Sequence, residues 1–220
     1  IYLVLLSYFT LNIVIYTLLS LFDIGYSKYI IVLIFAASLV TYFYQISKSG
    51  IDLPEIDITD IIVIAIIILT FFFLAYPFLS SDSAQRLNLL TMGEDNASHF
   101  AMYNSILRNG ELAVYNDSSG IITTLKFYPQ GLHSFFASNA TAFQSGDTIL
   151  HTINMYILQI SLSYALLIGA LALFIKNIFA LFDTTLRAFI VYLSIVPLFL
   201  YFVSFGFLFY LFTYGFHTQI

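Results

Sequence analysis

Cysteine and tryptophan are both absent from the 220 residues. Without thiols there is no disulfide framework, no thiolate metal site and no cysteine nucleophile. Charge is scarce as well. Asp, Glu, Lys and Arg make up 9% of the chain, against about 25% in a soluble domain. So few charges cannot cover a water-facing surface. Only 7 residues are Lys or Arg and they form no patch, so no nucleic-acid interface is expected. The net charge of −5 is modest and dispersed. There is no Walker loop, glycine-rich dinucleotide turn, GxSxG elbow or HExxH pair. Neither a repeat of solenoid period nor a low-complexity tract is present.

Hydrophobic residues fill the gap. They are 60% of the chain, with 24 Phe and 17 Tyr. This composition predicts an integral membrane protein, with Tyr in place of Trp as the interfacial anchor. A helix needs about 20 apolar residues to cross the hydrocarbon core. Five segments qualify: 1–22, 29–46, 61–79, 149–175 and 188–212. A sixth run, 132–143, is too short to span and carries Ser134, Ser138, Asn139 and Thr141 among its aromatics. It reads as a helix lying in the interface or packed under a loop.

The expected fold is all-α: a polytopic transmembrane helix bundle with one extracytoplasmic loop subdomain containing short helices. Residues 1–79 would hold three N-terminal spans, 80–147 the loop with its interfacial helices, and 148–220 two further spans and the start of another outer loop. The chain opens inside an apolar run without Met, which suggests a piece of a longer protein. That first run lacks a basic leader and a small-residue cleavage site, so it does not read as a signal peptide. Lys48, Lys176 and Arg187 sit in short links, which the positive-inside rule makes cytoplasmic. Alternation then puts the long loop and His217 outside, in a multi-pass protein of the plasma membrane.

Chemistry concentrates in two polar elements of the long loop. The first is Gly93-Glu94-Asp95-Asn96-Ala97-Ser98-His99-Phe100. Charges beside a bilayer are costly and seldom idle. A helix is expected from Asn96 to about Arg108, with Asp95 as N-cap and Asn109-Gly110 as the stop. Phe100, Tyr103 and Leu107 then fall at helical spacing toward the bundle. Asp95 and His99 lie one turn apart on one face. A carboxylate beside a membrane-bounded cavity would be partly desolvated and suited to act as a base. His99 would share a metal ion, bind phosphate when protonated, or orient the acid. The plainer alternative makes Asp95 a cap and His99 a loop residue.

The second element is Phe127-Tyr128-Pro129-Gln130-Gly131-Leu132-His133. His133 would join the site, or anchor the interfacial helix at headgroup level. His151 reads as an interfacial residue at the start of the fourth span, and His217 lies beyond the fifth. Lys126, Arg108 and Arg86 are candidate phosphate partners, or lone surface cations. The sequons at Asn96, Asn116 and Asn139 all fall on the expected outer side.

In order and spacing these features resemble the polytopic glycosyltransferases of the GT-C superfamily. Their acidic motif, in the first large outer loop, is matched by Glu94-Asp95. One subgroup follows its acid with a His, a helix ending near Arg-x-Gly, and a Tyr-Pro-x-Gly-x-His element before a span. Here these are Asp95, His99, Arg108-Asn109-Gly110 and Tyr128-Pro129-Gln130-Gly131-Leu132-His133. The likeness covers about residues 79–175, and Gly215-Phe216-His217-Thr218-Gln219 looks like a further outer-loop motif. The chain departs from the family in having three spans before the acidic loop, where many members have one, and in having fewer spans.

The resemblance implies sugar transfer from a polyprenyl-phosphate-linked donor at the outer face, among membrane lipids. Asp95 would be the base, or a ligand of a divalent metal ion shared with His99, and Glu94 would assist. His99, His133, Lys126, Arg108, Tyr128 and His217 would bind substrate. Other readings stay open: a transporter or flippase of lipid-linked sugars, or a non-catalytic subunit that binds membrane-protein partners through the loop.

Overall fold

A computed structural model describes residues 2–49, 58–92, 94–112, 128–143 and 148–180, without the side chains of 2–7, 45, 49, 94, 179 and 180. Seven helices are described: α1 (Tyr2–Leu21), α2 (Lys28–Ser49), α3 (Ile58–Leu79), α4 (Ser83–Leu90), α5 (Glu94–Asn109), α6 (Gly131–Phe143) and α7 (Ile149–Ala180). No strand occurs among the described residues. α2, α3 and α7 are long and apolar enough to cross a membrane. The apolar run at 188–212 lies outside the described residues.

The chain divides into two compact units. One comprises residues 1–53, 94–156 and 218–220, and the other 54–93 and 157–217. In the first, α6 packs against α1, α2 and α5. Of the two readings of this run, a helix lying in the interface or one packed away, the burial fits the packed one, with His133 turned inward. His133, Ser134, Phe136, Ala137, Ser138 and Ala140 are all buried. Small residues let the neighbouring backbones come close, as in membrane helix pairs. At Gly131, where α6 starts, an added Cβ would stand 3.2 Å from Ile13 Cδ1 of α1.

α1 is built with its polar side inward. Asn12, Tyr16 and Ser20 recur every fourth residue and are buried, while Leu11, Val14 and Leu18 face out. Tyr26 Oη donates to Asn12 Oδ1 at 2.8 Å, and Asn12 Nδ2 donates to the Tyr8 carbonyl at 2.9 Å. Ser138 Oγ of α6 reaches the same Asn12 oxygen at 3.2 Å. Tyr16 stacks on Tyr26 with ring centroids 4.4 Å apart and donates to the Ile106 carbonyl of α5 at 3.2 Å. Ser20 Oγ accepts from the Leu112 amide at 3.0 Å. One polar stripe thus ties α1 to the turn before α2, to α5 and to α6.

α5 begins at Glu94. Asp95 therefore lies inside the first turn and is not the N-cap, because the helix starts two residues before Asn96, where the sequence signal placed it. Its end is as expected. Gly110 takes φ +75° and its amide bonds the Ile106 carbonyl at 2.9 Å. The Gly110 carbonyl then accepts from the Tyr26 amide at 3.0 Å.

In the second unit, α3 buries Thr59, Val63, Ile66, Thr70, Leu74, Ala75 and Phe78, and turns Ile61, Ile64, Ile68, Leu69 and Phe72 outward. α4 was not anticipated. It opens with a capping box in which Asp82 Oδ1 accepts from the Gln85 amide at 2.8 Å and Gln85 Oε1 accepts from the Asp82 amide at 3.3 Å. Lys176, placed in a short link by the sequence reading, lies within α7 and pairs with Asp60 in the first turn of α3 at 2.7 Å.

Replacing Asn12 by Leu strips the acceptor from the buried Tyr26 hydroxyl, whereas Ser138 keeps the Phe135 carbonyl. An orphaned buried hydroxyl costs about 1–3 kcal/mol. Asn12→Leu should lower the thermal midpoint of the full-length protein in detergent. Adding Tyr26→Phe should restore part of the loss, since the orphaned hydroxyl is then gone.

Candidate functional site

Two loop elements meet at one contact. His99 is on the inner side of α5, which buries Asn96, His99, Met102, Tyr103 and Ile106. His133 is in the first turn of α6. His99 Nδ1 and His133 Nε2 lie 3.0 Å apart, a hydrogen bond between imidazoles. The rings are nearly parallel, at 23°, with centroids 5.0 Å apart. Both are buried, His99 with 6% and His133 with 2% of its surface exposed. The Tyr128 ring stands 5.5 Å from that of His99 and lines the same place.

Burial sets the chemistry of this pair. Desolvation pushes the His133 imidazole down to about 3, and the neighbouring His99 pushes in the same direction. The Pro129 carbonyl, one turn back, favours a proton on the His133 ring without reversing that. His133 is therefore neutral at physiological pH. It is a poor phosphate ligand and a good hydrogen-bond partner for the second imidazole.

Asp95 behaves differently. It is exposed, and no hydrogen bond or ion pair joins it to another described residue. Four residues span 400° of helix, so its side chain leaves α5 about 40° from that of His99. That offset separates solvent from interior. The desolvated carboxylate expected from the sequence is a solvated one, a turn from a buried imidazole.

Arg108 is exposed, at the far end of α5, with Nε donating to Asn104 Oδ1 at 3.2 Å. It is about 13 Å along the helix axis from His99 at 1.5 Å per residue, so it is not part of this cluster. Arg86, in the other unit, donates through Nη2 to the Ser81 carbonyl at 2.7 Å and the Leu79 carbonyl at 3.3 Å. It caps the end of α3. Lys126, His217 and the Glu94 side chain lie outside the described residues. Among the described residues no three His, Asp or Glu gather as a metal site. The sequon at Asn96 is buried, so that side chain is no glycan acceptor here. Asn116 lies outside the described residues. Asn139 accepts from Tyr8 Oη at 2.9 Å.

No protein-family model, curated protein or solved structure matches this chain.

Beside the imidazoles is an aromatic box that sequence reading missed. Phe100, Tyr103 and Phe136 surround Tyr156, with centroids 5.4, 5.1 and 6.1 Å from it. The Tyr103 hydroxyl is buried with no hydrogen-bond partner among the described residues, and burial raises its pKa well above the ordinary phenol value. Spacing pointed to Phe100 and Tyr103 as an inward face. Nothing local to the sequence named Tyr156 as their partner.

The low pKa of His133 makes stability depend on pH. The unfolded imidazole takes a proton near pH 6.5, whereas the folded one resists until about pH 3. Stability should be level above pH 7 and fall between those values, by at most about 1.4 kcal/mol per pH unit. Thermal midpoints at pH 7.5 and 4.5 check this. His133→Gln should lose less over that interval than the unsubstituted protein, and equal losses would reject the assignment.

Proposed function

We propose that the chain is part of a multi-pass membrane glycosyltransferase that takes a sugar from a polyprenyl-phosphate-linked donor at the outer face of the plasma membrane. The observation that carries this reading is the 3.0 Å contact between His99 and His133. It joins the acidic element to the Tyr-Pro-x-Gly-x-His element across 34 residues of chain. Two short motifs that resemble GT-C sequence elements thereby become one site. Asp95 is solvent-facing a turn away, where a hydroxyl could reach it.

The setting suits a lipid-borne substrate. α2 and α3 turn large apolar side chains such as Val32, Phe35, Val40, Ile64 and Phe72 outward, as helices do against hydrocarbon. An isoprenoid tail has its natural solvent there, which leaves the phosphate and sugar at headgroup level. The Asp60–Lys176 pair, at 2.7 Å, holds the start of α3 and the end of α7 at one level. That supports alternating spans with the start of α3 and the end of α7 toward the cytoplasmic side. In the reaction the acceptor oxygen bonds to the anomeric carbon as the carbon–oxygen bond to phosphate breaks. The phosphate leaves with the bonding electrons and the acceptor proton passes to Asp95.

Transfer of labelled sugar from a polyprenyl-phosphate donor by the full-length protein tests this reading. A general base contributes about 10²–10⁴-fold, so Asp95→Asn should cut kcat by at least about a hundredfold. Undiminished turnover would remove Asp95 from the role. Movement of the lipid-linked sugar across vesicles without product would favour a flippase.

A further inference from the structure

The C-terminal end of α3 is sealed. A helix leaves its last four carbonyls without partners in its own turns, and at a wet end water serves them. In α3 these belong to Tyr76, Pro77, Phe78 and Leu79. The Tyr76 carbonyl accepts from the Ser80 amide at 2.9 Å and from Ser80 Oγ at 2.7 Å. Ser81 Oγ donates to the Pro77 carbonyl, and the Ser81 amide donates to that of Phe78 at 3.2 Å. Arg86 reaches back from α4 to the Leu79 carbonyl at 3.3 Å. All four carbonyls are thus paired within the protein. The guanidinium also meets the negative end of the helix dipole. Arg108, at the end of α5, bonds the Asn104 side chain instead. A complete set of caps suits a span that stops where water is scarce. Tyr76 points the same way. It lies in the last turn with 68% of its surface exposed, the position of an aromatic anchor at the edge of the hydrocarbon.

The pattern of α4 fits that location. At 100° per residue, Leu89, Leu90 and Leu87 span an arc of about 160°. Leu90, between the other two, is buried, with Leu87 exposed on one flank and Leu89 half-buried on the other. The one charge within this arc is Arg86, whose guanidinium is turned back onto α3. Gln85, Asn88 and Thr91 take the opposite arc and are exposed. A short helix with separate apolar and polar faces lies in the plane of a membrane interface.

We propose that α4 is a lipid-interface anchor, lying along the membrane surface at the end of α3 with Leu87 among the first acyl carbons and Asn88 toward the headgroups. Lipid is the occupant of its exposed apolar flank, because α4 follows the span after only residues 80–82 and no carbonyl of that span's last turn is left to water. The apolar face of such a helix is buried about 5–10 Å into the boundary between headgroups and acyl chains. The anchor rests on α3 crossing a membrane and not on sugar transfer. An enzyme, a flippase or a subunit would use it alike, to fix the height at which the chain leaves the bilayer.

The absence of tryptophan makes the test direct. Leu87→Trp and Asn88→Trp place a single fluorophore on opposite sides of α4, and both positions are exposed, so neither disturbs packing. Phe72→Trp, on the outward side of α3, reports the span itself. Each full-length variant is placed in phosphatidylcholine vesicles brominated near the top or near the end of the acyl chain. With burial of about 5–10 Å, Leu87→Trp should lose at least about half its emission to the shallow bromines and less to the deep ones. Asn88→Trp should lose less than half as much and be reached by acrylamide from water. Acrylamide quenching of Leu87→Trp without bromine quenching would put α4 in water and overturn the anchor. Quenching by neither would mean that protein covers Leu87, and would overturn it too. If Phe72→Trp also escapes the bromines, α3 does not span and the anchor falls with it. None of these outcomes depends on turnover, so loss of the glycosyltransferase reading leaves the anchor standing.

Discussion

A polar side chain on a helix whose outer face is apolar has one favourable direction, inward. The first unit is organised by that constraint. Asn12, Tyr16 and Ser20 give α1 a hydrogen-bonding stripe, and every neighbour that packs on it offers a matching group. Hydrophobic burial discriminates weakly among helices that are apolar all round, because lipid and protein are equally good solvents for Leu. Directional contacts then decide which faces meet. Asn12 binds three groups from three places in the sequence, so it fixes the rotation of α1 more tightly than any apolar residue could.

The same constraint explains why α6 lies inside its unit. A run of 13 residues is too short to cross the membrane and too apolar to stay in water. Ala137, Ser138 and Ala140 make it thin, and Gly131 lets it start against α1. Buried this way, α6 must satisfy its own polar groups. Ser138 finds Asn12 and the Phe135 carbonyl, and His133 finds His99. The imidazole contact that defines the site is thus also part of what seats the helix.

The long helices were legible because apolar length is a local property. α2 runs over Lys28–Ser49 where 29–46 was read, and α3 over Ile58–Leu79 where 61–79 was read. The stop at Gly110 was legible for a similar reason, since one residue type suits φ +75°. α4 was overlooked, although Asp82 and Gln85 carry the spacing of a capping box. Its eight residues were too short and too polar for a reading tuned to spans. The direction of His99 was illegible in principle. Spacing relates His99 to Asp95, but only the partner helix determines which of them faces in. Asn12 was the missed clue, because an amide amid an apolar run needs a partner and so marks an inward face.

Placing an acid and an imidazole on either side of a burial boundary separates two needs of one site. A carboxylate buried without a cation is too costly to keep charged, and among the described residues no cation pairs with Asp95. Solvent must carry that charge. An imidazole can be buried while neutral, provided each nitrogen has a complementary neighbour, and His133 supplies one to His99. Were the two exchanged, with the acid inside and the imidazole outside, the acid would neutralise and the imidazole would lose its contact with α6. An offset of about 40° on one helix is enough to keep them apart.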